Sequence, residues 1–283
     1  MLKALRSFLD ERFPLKVGIP VALVLFGAPA SLLGLDKLRL GVGLISCFLA
    51  LLSLRIVDDI SDMVLDVVAH PERGLVSGKI PVKRLEAFVA VSLILILVLN
   101  SVFASFWLIC FGASLYLAFY KQKKRVPLVL QPFLVNLVFL LIPIYSGLLK
   151  GESDLKNLLL MGLFVWTGAV AHDFAHSVHG LDEAVFKVET FSSVLGPKRS
   201  ARWAIFLYGF SVIFGILFWI LADAGSVFVV SLAIMSFIIS FQCTRLYFNP
   251  KRFMARRLYV SGFLFFLIPL LSLTAKAVFL GHG

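Results

Sequence analysis

Three cysteines in 283 residues, Cys47, Cys110 and Cys243, are too few and too far apart for a disulfide framework or a metal–thiolate centre. All three lie inside apolar runs, where a cysteine behaves as a small buried hydrophobe. Charge is scarce too: Asp, Glu, Lys and Arg make up 15% of the chain, against about a quarter in soluble domains. No polar block is long enough to fold alone, which leaves residues 1–283 as one membrane domain. No basic run is interleaved with aromatic side chains in a soluble module, so nucleic acid is excluded as a partner. Low-complexity segments, obvious internal repeats and a cleavable signal peptide are all missing. The opening stretch, MLKALRSFLDERFPLK, is short, amphipathic and of mixed charge, as in a helix lying at a membrane interface.

What fills the chain instead is hydrocarbon. Hydrophobic residues make up 60%, phenylalanine alone accounts for 28 positions, and the mean hydropathy is +0.98. Apolar runs of about 20 residues, the length that crosses a bilayer, recur from end to end. Nine candidate spans fall at roughly 17–35, 40–66, 84–103, 105–120, 128–149, 157–179, 203–222, 225–247 and 258–280. The pattern predicts an all-α polytopic membrane protein of about nine transmembrane helices. With the N-terminus cytoplasmic, 21 of the 27 Lys and Arg residues fall on the cytoplasmic side, five fall opposite, and Arg55 lies within a span. That asymmetry predicts a cytoplasmic N-terminus and a C-terminus on the opposite side, and it accounts for the net charge of +11. The two longest cytoplasmic loops, about 67–83 and 181–202, carry most of the unusual polar residues, and long loops in bundles tend to be functional.

The second span ends in RIVDDISDMVLDVVAHPERGLVSGKI, with Asp58, Asp59, Asp62 and Asp66 following an apolar run. Successive fourth residues on a helix advance about 40° and 6 Å, so Asp58, Asp62 and Asp66 form one stripe. Like charges at that spacing repel, and carboxylates at a membrane are costly unless something positive is bound. Hard oxygen ligands suit Mg²⁺, which usually arrives with substrate phosphates. A Mg²⁺-bridged diphosphate at the cytoplasmic mouth would resolve the conflict. Nine of the chain's 16 acids fall in or after the second and sixth spans, a concentration that favours a site over ordinary surface charge.

This stretch resembles the first signature of the UbiA superfamily of intramembrane prenyltransferases, Asn-Asp-x-x-Asp-x-x-x-Asp followed by Arg-Pro-x-Arg-Pro-Leu-x-Ser-Gly. Asp59, Asp62, Asp66, Pro71, Arg73, Leu75, Ser77 and Gly78 match it. Asp58 stands for the Asn, His70 for the first Arg and Gly74 for the second Pro. The sixth span ends AVAHDFAHSVHGLDEAVFKVETFSSVLGPKRSA, where the family has a second Asp-x-x-x-Asp signature. Asp173 is kept, His176 and His179 follow, and acids return at Asp182 and Glu183. The ETFSSVLG ending resembles a divergent branch of the superfamily. After the fourth span, YKQKKR places Tyr120, Lys124 and Arg125 at the spacing of the family's Tyr-x-x-x-Lys-Arg element, although a positive-inside stop signal explains the same charges.

The resemblance implies a bundle around a central cavity capped by the two long loops. Asp58, Asp62 and Asp66 would hold one Mg²⁺, and Asp173 with Asp182 or Glu183 a second. Arg73, Lys124, Arg125, His70 and Tyr120 would contact the diphosphate of an isoprenyl donor. His172, His176 and His179 share one helical face, but five histidines are too few for a membrane di-iron enzyme. His176 reads as a diphosphate contact or a proton acceptor, and His172 equally well as a hydrogen-bonded residue between helices. The implied reaction is prenyl transfer within the membrane to a small acceptor, expected to be aromatic. The same ionisation could instead feed a terpene cyclisation. A transporter or lipid-binding protein fits less well, because transporters usually carry repeated halves with charges near mid-membrane.

Overall fold

Leu2–Arg12 (α1) buries Ala4 and Phe8, one turn apart, and turns Lys3, Arg6 and Ser7 outward, the amphipathic pattern expected of it. In this computed structural model, residues 2–178 and 194–280 are described, all in helices, turns and connecting loops with no strand among them. Leu15–Leu33 (α2) ends at Gly34, whose φ of 61° suits a residue without a Cβ. Lys37–Ser61 (α3) starts where the Asp36 carboxylate accepts from the Arg39 backbone N–H at 2.9 Å. Beyond a break at Asp62, Met63–Ala69 (α4) adds two turns.

Val82–Asn100 (α5) and Ser105–Gln122 (α6) follow, and 3₁₀ turns at Lys123–Arg125 and Leu128–Leu130 lead into Gln131–Val135 (α7) and Leu137–Lys150 (α8). Lys156–Ser177 (α9), Pro197–Ala222 (α10), Ser226–Phe248 (α11) and Arg252–Leu280 (α12) complete the order.

Seven segments among the described residues are long and apolar enough to cross a membrane. The two remaining expected spans, 84–103 and 105–120, coincide with α5 and α6. Lys83, Arg84 and Glu86 put three charges in the first turns of α5, and α6 is only 18 residues long with Lys121 and Gln122 at its end, so neither meets that measure. The expected class, a polytopic membrane bundle of α-helices, is the one observed, with seven rather than nine segments meeting that measure.

The bundle is organised around α9, its most buried span, which packs on α8, α10 and α12. Gly162 makes the α8–α9 approach possible: a Cβ there would lie 2.6 Å from the Leu140 carbonyl oxygen. On the other side α2 meets α3, α8 and α12, α3 meets α5, and α6 meets α8. A smaller apolar cluster joins α1 to the rest, with Ala4 and Phe8 set against Leu52, Ile56, Leu75, Ile80 and Leu85. Full burial of a side chain such as Phe8 is worth about 1.5–3 kcal/mol.

Candidate active site

Helices α3, α5, α6 and α8 enclose a chamber of about 1030 Å³ of empty space, its open side included. Its walls are almost wholly apolar, from Val57 and Tyr120 at one end to Ser46 and Tyr145 at the other. The Asp-rich end of α3 stands at the first of these ends, because Val57 adjoins Asp58 and the Tyr120 hydroxyl donates to the Asp58 carboxylate at 3.4 Å.

The acids keep their one-turn spacing through the helix break. Asp62 N–H donates to the Asp58 carbonyl at 3.0 Å, Asp66 N–H to the Asp62 carbonyl at 3.0 Å, and His70 N–H to the Asp66 carbonyl at 2.8 Å. Their side chains, however, do not act as one face. The Lys123 ammonium spans Asp58 at 3.0 Å and Asp62 at 2.7 Å, and it also donates to the Ser61 hydroxyl at 3.0 Å. Asp66 pairs instead with Arg73. Asp59 points away from the stripe and is buried between two guanidiniums: Arg12 grips it through two hydrogen bonds of 2.8 Å each, and Arg55 stands 3.1 Å off. Glu11, beside Arg12, accepts the Gly74 backbone N–H with both oxygens at 3.1 Å, which ties α1 to the loop after α4.

These pairings set the charges at the mouth. Burial raises the Asp62 carboxyl, the neighbouring Asp58 raises it further, and Lys123 only partly offsets the two. For Lys123, burial is the largest single influence and pulls its pKa down, yet Asp58 and Asp62 together outweigh it and hold the ammonium above its ordinary value. Arg12 is likewise raised, chiefly by its hydrogen bond to Asp59.

The second cluster is represented by Asp173, near the end of α9. Asn136, in the break between α7 and α8, donates to it at 2.6 Å, and Asp173 lies within electrostatic reach of Asp58 and Arg55. The two acid regions therefore converge on one mouth. His172 turns away toward α12, with its ring 4.9 Å from that of Tyr259 and 4.7 Å from that of Phe263. His176 is exposed and packs on Tyr259 at 4.7 Å. His70 lies 3.4 Å from Glu72. His179, Asp182 and Glu183 lie outside the described residues.

The basic turn departs from expectation by one residue. Lys124 and Arg125 are exposed, while Lys123 folds back onto the acids, because the 3₁₀ turn that follows α6 aims Lys123 rather than Lys124 at α3. Lys123, Arg12 and the Asn136–Asp173 bond are the members of the site that the sequence did not single out. The only signal for Lys123 was the basic run itself, and Arg12 reaches its partner across 47 residues.

The donor set at the mouth suits a hard cation. A compact ammonium already sits among three oxygens there, two from carboxylates and one from a hydroxyl. Among the described residues no group of three His, Cys, Asp or Glu side chains forms a complete metal cage. Mg²⁺ is a hard cation that usually binds one or two carboxylates and completes its shell with water and substrate phosphates.

An apolar chamber roofed by carboxylates and cations defines a membrane enzyme for a substrate with a long hydrocarbon tail and a charged head. The chain matches the UbiA prenyltransferase family over residues 17–271. It is 24% identical over 206 residues, 71% of each chain, to the digeranylgeranylglyceryl phosphate synthase of Methanococcus maripaludis. Its fold is similar to a solved structure described as a digeranylgeranylglyceryl phosphate synthase in membranes, with a TM-score of 0.74 and 20% identity over 98% of this chain and 99% of that one. It is also similar to the apo structure of a UbiA homologue from Aeropyrum pernix, with a TM-score of 0.71 and 16% identity over 90% of this chain and 96% of that one. The chain belongs to the UbiA prenyltransferase family: it is an integral, multi-pass membrane prenyltransferase. Its substrates are accordingly a prenyl diphosphate and an acceptor, and the family generally depends on a divalent metal.

Proposed function

We propose that the protein transfers a prenyl group from an isoprenyl diphosphate to its acceptor at the mouth between α3, α6 and α9, with Mg²⁺ as cofactor and the mouth facing the cytoplasm. One observation carries this reading: Lys123 is held between Asp58 and Asp62 directly above an apolar chamber. Asp58 and Asp62, the two acids that Lys123 brings together, would hold one Mg²⁺, with Asp173 on the facing side of the mouth. When bound, the metal would neutralise charge building on the leaving diphosphate.

The protein's own side chains would do the rest. Lys123 and Arg73, now paired with the acids, would turn to diphosphate oxygens, and the Tyr120 hydroxyl stands within reach of the same place. Such cations, fixed before reaction, favour the charge that develops as the diphosphate departs. The chamber would hold the tail so that the allylic carbon lies at the mouth, and its apolar walls would keep water from the cationic carbon. His176, one turn beyond Asp173, would accept the proton released when the acceptor bonds to that carbon.

The Methanococcus relative is named for a glyceryl phosphate product, which makes a glyceryl phosphate alcohol the first acceptor to try, ahead of the aromatic class expected from the sequence. The test is pyrophosphate release from allylic diphosphates by purified protein in nanodiscs, with and without Mg²⁺ and with and without an acceptor. Release that needs Mg²⁺ and an acceptor, and that is lost in an Asp62→Ala, Asp66→Ala double variant, supports the reading. Release without any acceptor would redirect it to cyclisation.

A further inference from the structure

From residue 190 onward the sequence holds a single acid, Asp223, against nine Lys and Arg. Eight of those nine lie in or beside the start of α10, the end of α11 and the start of α12. These three helix ends adjoin: the Arg202 guanidinium on α10 donates to the Tyr247 hydroxyl on α11 at 3.2 Å, and Ser261 on α12 donates to the Gln242 side-chain oxygen on α11. Asp223 cannot balance them, because it follows α10 at the other end, about 39 Å along the helix axis. Every ion pair between described residues lies between positions 12 and 152.

On the exposed face of α12 two of these cations border a hollow of about 1080 Å³, its open side included. Phe253, Arg256, Arg257, Val260 and Leu264 line it together with Gln242 of α11. Arg256 and Arg257 are both exposed, and the Arg257 guanidinium lies 4.3 Å from the centre of the Phe253 ring, which holds it at the rim. One turn deeper, the bond from Ser261 occupies the Gln242 oxygen and leaves the amide hydrogens of Gln242 as donors. Val260 and Leu264 are exposed and apolar, and Leu264 lies about 10 Å deeper than Arg257 along α12.

The positive-inside rule accounts for cations at this end, and any arrangement of them satisfies it. It does not account for a hollow in which guanidiniums, amide donors and an apolar wall succeed one another with depth. That is the order of groups in a phospholipid: phosphate, glycerol oxygens, hydrocarbon chains. Basic pockets between membrane helices bind anionic headgroups in this way. A zwitterionic lipid would bring its own cation to a rim that already carries eight, whereas a lipid of net negative charge would offset them.

We propose that this hollow is a binding site for a phospholipid of net negative charge drawn from the surrounding membrane. Its phosphate lies between Arg256 and Arg257, its glycerol oxygens meet Gln242, and its chains run along Val260 and Leu264. The inference stands apart from the prenyl-transfer reading.

The experiment titrates purified full-length protein in detergent with phosphatidylglycerol and with phosphatidylcholine of identical chains, and counts bound lipid by native mass spectrometry. Each cation facing an anionic lipid is worth about fivefold in binding, so wild type should prefer phosphatidylglycerol by about 25-fold. An Arg256→Gln, Arg257→Gln variant should bring that preference close to unity. Lys3→Gln, Arg6→Gln removes two exposed cations from α1 and should leave the preference unchanged. If the first double variant does not fold, either single variant carries the test with a loss of about fivefold. Equal affinity of the wild type for both lipids, or a preference that falls equally in both double variants, overturns the site in favour of diffuse surface charge. Displacement of phosphatidylglycerol by inorganic phosphate would make the hollow a site for a soluble anion. A dimer that forms only in lipid-free protein and is lost with the same two arginines would give it to a second copy of the chain. Either result overturns the lipid assignment.

Discussion

At Lys123, burial and charge pull in opposite directions. Two carboxylates within 3.0 Å outweigh a half-buried position and keep the ammonium protonated. Its contribution to stability is full below the ordinary lysine range and is lost only as pH rises past the elevated value, far above working conditions. Replacing it with alanine leaves Asp58 and Asp62 facing each other. We expect a loss of about 1.5–3 kcal/mol of stability, the worth of hydrogen bonds to charged groups, and a rise in KM for the diphosphate. Lys124→Ala, at an exposed position, should leave both nearly unchanged; thermal denaturation and steady-state kinetics in nanodiscs separate the two. Asp62 has the same sign in a lower pH range. Its folded pKa lies above the unfolded one, so the native state binds the proton more tightly and loses stability as pH rises through that folded value. An Asp62→Asn variant removes this slope. Its melting temperature relative to wild type should therefore climb as pH rises above the ordinary carboxylate range, while its activity is lost. The residue spacing put Asp58, Asp62 and Asp66 on successive turns, as the backbone has them, but the split of their side chains between Lys123 and Arg73 could not be read from it. Choosing Lys123 over Lys124 was beyond it, because the choice depends on a 3₁₀ turn that no periodicity announces.

Among the elements, α1 has the most to show. It is only eleven residues long, yet its last turn holds both Asp59, through Arg12, and the loop at Gly74, through Glu11. Phe8 and Ala4 seat it on α3 and α5. Arg12→Ala should leave Asp59 to Arg55 alone, lower stability by about 1.5–3 kcal/mol and slow turnover by loosening the end of α3, with Arg12→Lys recovering part of each. A melting curve and kcat measured together check this. The sequence revealed α1 as amphipathic, which hydrophobic spacing can do. Its partners were hidden, because an ion pair across 47 residues and a backbone hydrogen bond across 63 leave no local trace. The end of α9 was half legible for a similar reason. The shared face of His172 and His176 could be counted, but the neighbour that face meets, α12, belongs to tertiary packing.

For the molecule as a whole, hydropathy located every long helix among the described residues, including α5 and α6, which adjoin near Asn100. Asn100 turns out to be turned inward, satisfied by four partners, so its polarity marks a buried knot and not a surface loop. The positive-charge asymmetry predicts that the loop at Lys124 faces the cytoplasm and the loop at Glu152 the other side. In a background with Cys47, Cys110 and Cys243 replaced, a cysteine at position 124 should react with an impermeant maleimide only after the cytoplasmic face is opened, and one at position 152 should react from outside. The reverse pattern would invert the site's orientation. The order in which a ribosome delivers the chain adds a last consequence to the grip of α1. Arg12 emerges well before Asp59, and Glu11 well before the Gly74 amide. A counter-ion is thus already waiting at the membrane surface when Asp59 arrives. Newborn protein truncated between α2 and α4 should accordingly be handed to quality control with α1 unmoored, while chains released after Ile80 should hold it in place.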